Sequence, residues 1–133
     1  NTQATIDQLR AEGYRILATT PHANDIFVDD IDLEKGKMAF FFGTELTGLS
    51  ETVINEADEF VKVPMYGFTE SLNVSVCAAL IMYSVVQRLK TSAINWHLDE
   101  AEQVRVALQW YKHSIKSSKQ ILERFEEKEE IGL

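Results

Sequence analysis

The chain has 133 residues, 45% hydrophobic and 26% charged, with six Gly and two Pro, a composition that excludes disorder, collagen-like structure and a string of domains. Its single cysteine, Cys77, excludes an internal disulfide scaffold, and no apolar run approaches the roughly 20 residues of a membrane span, so a cytoplasmic chain with no membrane partner is expected. The formal charge of -8 argues against a generic phosphate-binding surface, and ten acids between Asn24 and Phe60 set against Lys35 and Lys37 account for all of it.

Residues 3 to 12 carry Ile6 and Leu9 among polar neighbours and stop at Gly13, which predicts a short helix with a glycine at its C-terminal end. Tyr14 to Thr19 reads as a strand. Pro21, Asn24, Asp25 and the acids after them predict a surface loop over 20 to 37, with a brief strand at Ile26 to Val28. The continuous run Met38-Ala39-Phe40-Phe41-Phe42 predicts a strand buried on both faces of a parallel sheet, ended by Gly43.

Ser50 and Glu51 open another helix, the hydroxyl placed to cap free N–H groups and the carboxylate favourable to the helix dipole. Phe60 to Val63 is a short strand halted by Pro64. Between 71 and 90 the apolar residues, among them Val74, Val76, Leu80, Ile81 and Val85, cover too wide a surface for a helix lying on the outside. That helix is predicted to be largely buried. Asp99 and Glu102 form a cap pair, after which Val104, Leu108, Tyr111, Ile115, Ser118, Leu122 and Phe125 recur at steps of four and three. This heptad seam predicts one long C-terminal helix packed along another helix. Helices alternating with short apolar strands make the fold class α/β with a parallel sheet.

In such a sheet, functional positions are the loops after the strand C-termini. Gly43-Thr44-Glu45-Leu46-Thr47-Gly48-Leu49-Ser50 has the layout of a phosphate-binding loop, but it lacks a Lys, and Glu45 would repel a phosphate. A ligand with a positive centre or hydroxyls suits Glu45 better; the plainer reading is a tight turn whose glycines only permit the backbone path. The second loop runs from Val63-Pro64-Met65 to Ser71-Leu72-Asn73-Val74-Ser75-Val76. An unpaired polar group at the front of so apolar a helix would cost about 1 to 3 kcal/mol. Either Ser71 caps the helix while Asn73 and Ser75 bond neighbouring backbone, or the helix start is a ligand rim.

Other residues offer less. His22, His97 and His113 have no ligand-spaced partners, so no metal site is predicted. Cys77, between Val76 and Ala78, reads as a packing residue rather than a nucleophile. Trp96, Trp110, Tyr111 and Phe125 stand at helical spacing, which favours core or interface positions over base stacking.

Together the two loops resemble the SpoU or TrmH group of RNA ribose 2'-O-methyltransferases, of the knotted SPOUT superfamily. Phe42 to Ser50 matches that family's second motif, and Val63-Pro64-Met65 with Ser71 to Val76 its third. The resemblance runs from Gln3 to Lys90, and the tail after Leu98 looks like the helical extension of TrmH-type tRNA methyltransferases. It implies a parallel sheet with helices on both faces and a C-terminal trefoil knot, one of the exceptions to the rule against knots. It divides the chain into a methyltransferase domain over 1 to 92 and a helical extension over 93 to 133.

The resemblance further implies S-adenosylmethionine as cofactor, walled by Ala18, Thr19 and Thr20, by Gly43, Thr44, Glu45 and Gly48, by Val63, Pro64 and Met65, and by Ser71, Leu72 and Asn73. Glu45, Ser71 and Asn73 would stand as the catalytic group beside the target ribose of an RNA, tRNA before rRNA, in a homodimer. The family's first motif, an Asn followed after five residues by an Arg, is not found here: Asp7 stands six positions after Asn1. The chain, which opens on Asn1 rather than Met, is therefore read as lacking the family's first strands, with a catalytically incomplete cofactor-binding and dimerisation piece as the alternative to an active enzyme.

Overall fold

The N-terminal helix α1, Thr2–Ala11, is held at both ends by local chemistry in this computed structural model, which describes residues 1–21, 25–68 and 72–130. Asn1 accepts from the Ala4 amide at 3.1 Å. At the other end Gly13 adopts φ +83°, and the amides of Gly13 and Tyr14 turn back to the carbonyls of Arg10 and Leu9 at 3.0 and 2.9 Å. A left-handed residue closing a helix with that pair of bonds favours glycine, as the sequence anticipates.

Four parallel strands follow among the described residues: β1 (Arg15–Thr19), β2 (Ile26–Phe27), β3 (Met38–Phe41) and β4 (Glu59–Lys62), in the spatial order β2-β4-β1-β3. β1 is the strand buried on both faces. Its Ile16 and Ala18 pack with Ile6 of α1 and with Val53 of α2 (Glu51–Glu56), while Leu17 faces the opposite layer. β3, expected to be buried on both faces, sends side chains into both layers but stays half-buried, because in this order it pairs with β1 alone. Ser50 caps α2 as expected, accepting from the Val53 amide at 3.4 Å.

Between β2 and β3 the chain is more than a surface loop. Short 3-10 turns at Val28–Asp30 and Leu33–Lys35 bury Val28, Ile31 and Leu33 against Leu17, Val61 and α3 (Val74–Thr91). Alternating apolar and acidic residues permit this, the acids turning outward while the aliphatic chains fill the layer. Arg88 of α3 holds the segment by donating from Nη1 to the Val28 carbonyl at 3.0 Å, and Ser84 donates to Asp29 at 2.6 Å. α3 is not largely buried. Ile81 and Val85 enter the core, whereas Val76, Leu80, Met82 and Tyr83 stay exposed.

Asp58 fastens the opposite layer. Its Oδ2 accepts from the Ile16 amide at 2.6 Å and its Oδ1 from Arg10 Nη1 of α1 at 3.0 Å, so one carboxylate ties a helix to the strand it covers. Arg15 pairs with Glu59 and reaches the Asp32 carbonyl.

The chain divides into two compact units, Asn1–Ile94 and Asn95–Leu133. In the second, Asp99 and Glu102 form the expected capping box at the start of α4 (Glu100–Ser114), with the Glu102 amide donating to Asp99 at 2.8 Å. The seam is not one long helix. It breaks after Ser114 and resumes as α5 (Ser118–Glu130), because Ser117 takes φ +65°, a left-handed conformation that ends an α-helix. Trp110, Tyr111 and Phe125, expected in a core or an interface, are exposed.

Candidate functional site

Parallel pairing brings the C-terminal ends of β1, β3 and β4 to one edge of the sheet, where both marked loops begin. The loop after β3 closes on itself. Thr44 and Gly48 exchange amide-to-carbonyl bonds of 2.9 and 3.1 Å, and the Thr44 and Thr47 hydroxyls lie 2.7 Å apart. The two glycines do different work. A Cβ at Gly43 would stand 2.4 Å from the Gly48 carbonyl carbon, and Gly48 itself adopts φ +67°. Only a bare Cα at the first position lets the loop fold back so tightly.

The loop after β4 leads to α3, whose cap is Asn73: its Oδ1 accepts from the Ser75 amide at 2.9 Å. Its Nδ2 donates to Glu45 Oε1 at 3.2 Å. Asn73, read from the sequence as bonding neighbouring backbone while Ser71 took the cap, is itself the cap, holding the helix start with one atom and reaching Glu45 with the other. Ser71 lies outside the described residues, as does His22.

Between the two loops lies a cavity of about 650 Å³, within the range of small-molecule sites. Of the residues expected to wall it, Thr19, Thr20, Gly43, Thr44, Glu45, Gly48, Val63, Pro64, Met65 and Leu72 do so. Asn73 stands exposed beside it through Glu45. Ala18 does not line it; alternation along β1 turns its side chain into the core with Ile6 and Val53.

The cavity also takes in residues the sequence reading passed over. Phe27 and Lys62 enter as a register pair of β2 and β4, with the Lys62 ammonium 4.5 Å from the Phe27 ring centroid. Ile54 reaches it from α2, and nothing in the local sequence signals this. Cys77, expected to pack in a buried helix, lines the cavity and is half-buried; its i, i+4 spacing from Asn73 is the signal that was present. Burial pushes its thiol pKa up. Thr20 donates to Asp25 at the cavity's β1 end. Among the described residues no group of His, Cys, Asp and Glu is placed to hold a metal ion, and no helix is long and apolar enough to cross a membrane.

The family model of the SpoU rRNA Methylase family matches residues 1–83, a span that holds both loops and the start of α3. The chain belongs to this family. Among its SpoU relatives, the tRNA (guanosine(18)-2'-O)-methyltransferase of Borreliella burgdorferi is 45% identical over 117 residues, which cover 88% of this chain and 53% of the relative. The enzyme of the same name from Escherichia coli strain K12 is 34% identical over 106 residues, 76% of this chain and 45% of the relative. The chain thus spans about half the length of these curated relatives. Among solved structures, the A. aeolicus TrmH/SpoU tRNA modifying enzyme superposes with a TM-score of 0.71 at 28% identity, over 87% of this chain and 60% of that one. The SpoU methyltransferase AviRb from Streptomyces viridochromogenes, in complex with AdoMet, gives 0.58 at 28% identity over 68% and 34%.

Proposed function

We propose that this SpoU chain holds S-adenosylmethionine between the Gly43–Gly48 and Val63–Met65 loops and takes part in methylating a ribose 2'-hydroxyl of tRNA. The observation that carries the reading is the Asn73–Glu45 hydrogen bond, which joins the two family motifs beside a cavity of cofactor size. The residues present fit the cofactor. Gly43 leaves no space for a Cβ, so the loop backbone itself forms the wall, and the lining is mostly apolar with a few hydroxyls. That mixture suits an adenosine held by backbone groups and hydrophobic contact.

S-adenosylmethionine supplies an electrophilic methyl on a sulfonium that leaves as a neutral thioether. The chain's contribution is then alignment, since bringing oxygen and methyl into line supplies much of the acceleration in such a transfer. Asn73 orients the Glu45 carboxylate, and Glu45 stands on the ribose side, where it can accept from a sugar hydroxyl. Ser71 belongs to the same reading through its place in the third motif. No arginine is among the described residues lining the cavity, so the named residues do not account for removal of the hydroxyl proton. This favours, as a second reading, a piece that binds cofactor and partner without completing the reaction.

The names of the relatives extend the proposal to guanosine 18 of tRNA, ahead of a site in rRNA. The same reading includes the trefoil knot at the second loop, a cytoplasmic setting and the division into a methyltransferase domain and a helical extension. It also includes a homodimer. Val76, Leu80 and Tyr83 lie on one stripe of α3 and are 47%, 42% and 67% exposed, apolar surface of the kind that subunit contacts cover. Titration calorimetry tests the cofactor; absence of heat at millimolar ligand, with circular dichroism native, removes it. Transfer of labelled methyl to a tRNA transcript, against a transcript with a 2'-deoxy residue at position 18, tests the reaction. Sedimentation equilibrium tests the dimer, and a concentration-independent mass near 15.1 kDa sinks it.

A further inference from the structure

The large apolar side chains that stand wholly in water are gathered in one place. Leu46 is 97% exposed, Tyr66 91% and Phe68 completely, while no other large apolar residue among the described residues exceeds the 70% of Trp110. All three sit on the two loops that wall the cavity. Leu46 lies between Glu45 and Thr47, which both line it; the chain leaves the wall at Met65 and returns at Leu72, so Tyr66 and Phe68 stand on the rim between. Gly67 separates the two rings at φ +92°, and the place its Cβ would take is open space, so backbone conformation rather than packing sets the turn that holds them out. Exposed apolar residues clustered at the mouth of a site mark a surface that something covers.

Resting on the ribose-methylation reading above, we propose that Tyr66 and Phe68 form a stacking platform for the base of the nucleotide to be methylated. The base hangs from the sugar carbon next to the one that bears the 2'-hydroxyl, so a ribose held at Glu45 sets its base at the rim. The Asn73–Glu45 bond of 3.2 Å ties the loop that carries the rings to the loop that would hold the sugar. Charge favours the base over the RNA backbone as the group met here. Residues 42 to 50 and 63 to 74 hold no Lys, Arg or His, and their two ionisable side chains, Glu45 and Glu70, are acids. Such loops repel phosphate, whereas an aromatic face stacks on a neutral base. Tyr66 and Phe68 do not line the cavity that would take the cofactor, which leaves their faces to a ligand that arrives from outside.

Fluorescence anisotropy on the whole chain, with S-adenosylhomocysteine present, tests this with two probes: a tRNA transcript and the same transcript lacking only the base at position 18. Tyr66→Ala combined with Phe68→Ala is expected to weaken the intact transcript about tenfold and leave the abasic one unchanged, while Tyr66→Trp with Phe68→Trp keeps the wild-type affinity. Calorimetry should show cofactor affinity unaltered by the alanine pair. Equal weakening of both transcripts overturns the proposal, and if sedimentation then shows a wild-type dimer turned monomer, the rim is a contact with a second copy instead. Unchanged affinity for the intact transcript overturns it too, as does a fall in cofactor affinity, which would make the rings part of the cofactor site. A wild-type chain that binds both transcripts equally removes the platform alone; one that binds cofactor but neither transcript removes the RNA reading on which the platform rests.

Discussion

In the first unit Ile16 and Leu17 stand side by side in β1 and both are fully buried, one on each face of the sheet. In the second, Val104 and Leu108 stand one turn apart on α4 and remain 69% and 43% exposed, and α4 contributes no buried residue. Both pairs belong to regular apolar patterns. A pattern states which face prefers to leave water, but burial needs a second layer within reach, and a sheet receives one on each side. Short helices such as α4 and α5 offer each other only a line of contact, and helices of that length are marginal by themselves.

The difference should appear first in stability. Leu17→Ala is expected to cost about 2 to 5 kcal/mol by urea denaturation, whereas Leu108→Ala should cost less than about 1 kcal/mol. Equal losses would break the comparison and mean that the α4 stripe is covered in solution. Next comes Gly43→Ala. The added Cβ meets backbone at 2.4 Å, so the loop must shift by a path that no flexible side chain can absorb; cofactor affinity should fall at least about tenfold, with about 1 to 3 kcal/mol lost from stability.

Asn73→Ala removes the α3 cap and the partner of Glu45 together, and about 1 kcal/mol of stability should go with it. Asn73→Ser separates the two roles. A serine hydroxyl can still cap but is too short to reach Glu45, so stability should recover while methyl transfer stays low. In the helical unit, Asp99→Ala should cost about 1 kcal/mol, read as lost helicity in far-ultraviolet circular dichroism, and leave cofactor affinity untouched. A change in affinity would show that the two units are coupled. The smallest effect concerns Cys77: burial raises its pKa, so less of it is thiolate at mildly alkaline pH. Alkylation should therefore be slower than for a free cysteine, and slower again with cofactor bound.

Several helix ends, the strand positions and both loops were legible in the sequence because each rests on neighbours along the chain. Gly13 ends α1 through its own φ, and Ser50 and Asp99 cap through amides three residues on; at α3 the cap is Asn73, two positions beyond the Ser71 to which the local pattern assigned it. Pro64 halts β4 for the same local reason, having no amide to donate. The family motifs were legible too, since tight loops leave compact signatures in Gly43 to Gly48 and Val63 to Met65.

Tertiary structure alone decided what lies far apart along the chain. The apolar run of β3 reads as a central strand, yet strand order gives that place to β1, because pairing partners are chosen by crossover connections that local composition does not encode. Ile54, Phe27 and Lys62 enter the cavity, and Ala18 turns away from it, through the register and layering of separate strands and helices. The break at Ser117 interrupts a heptad pattern that is periodic on both sides of it. Periodicity along one chain reports the face a residue takes on its own element; which element covers that face depends on long-range packing that only the folded molecule supplies.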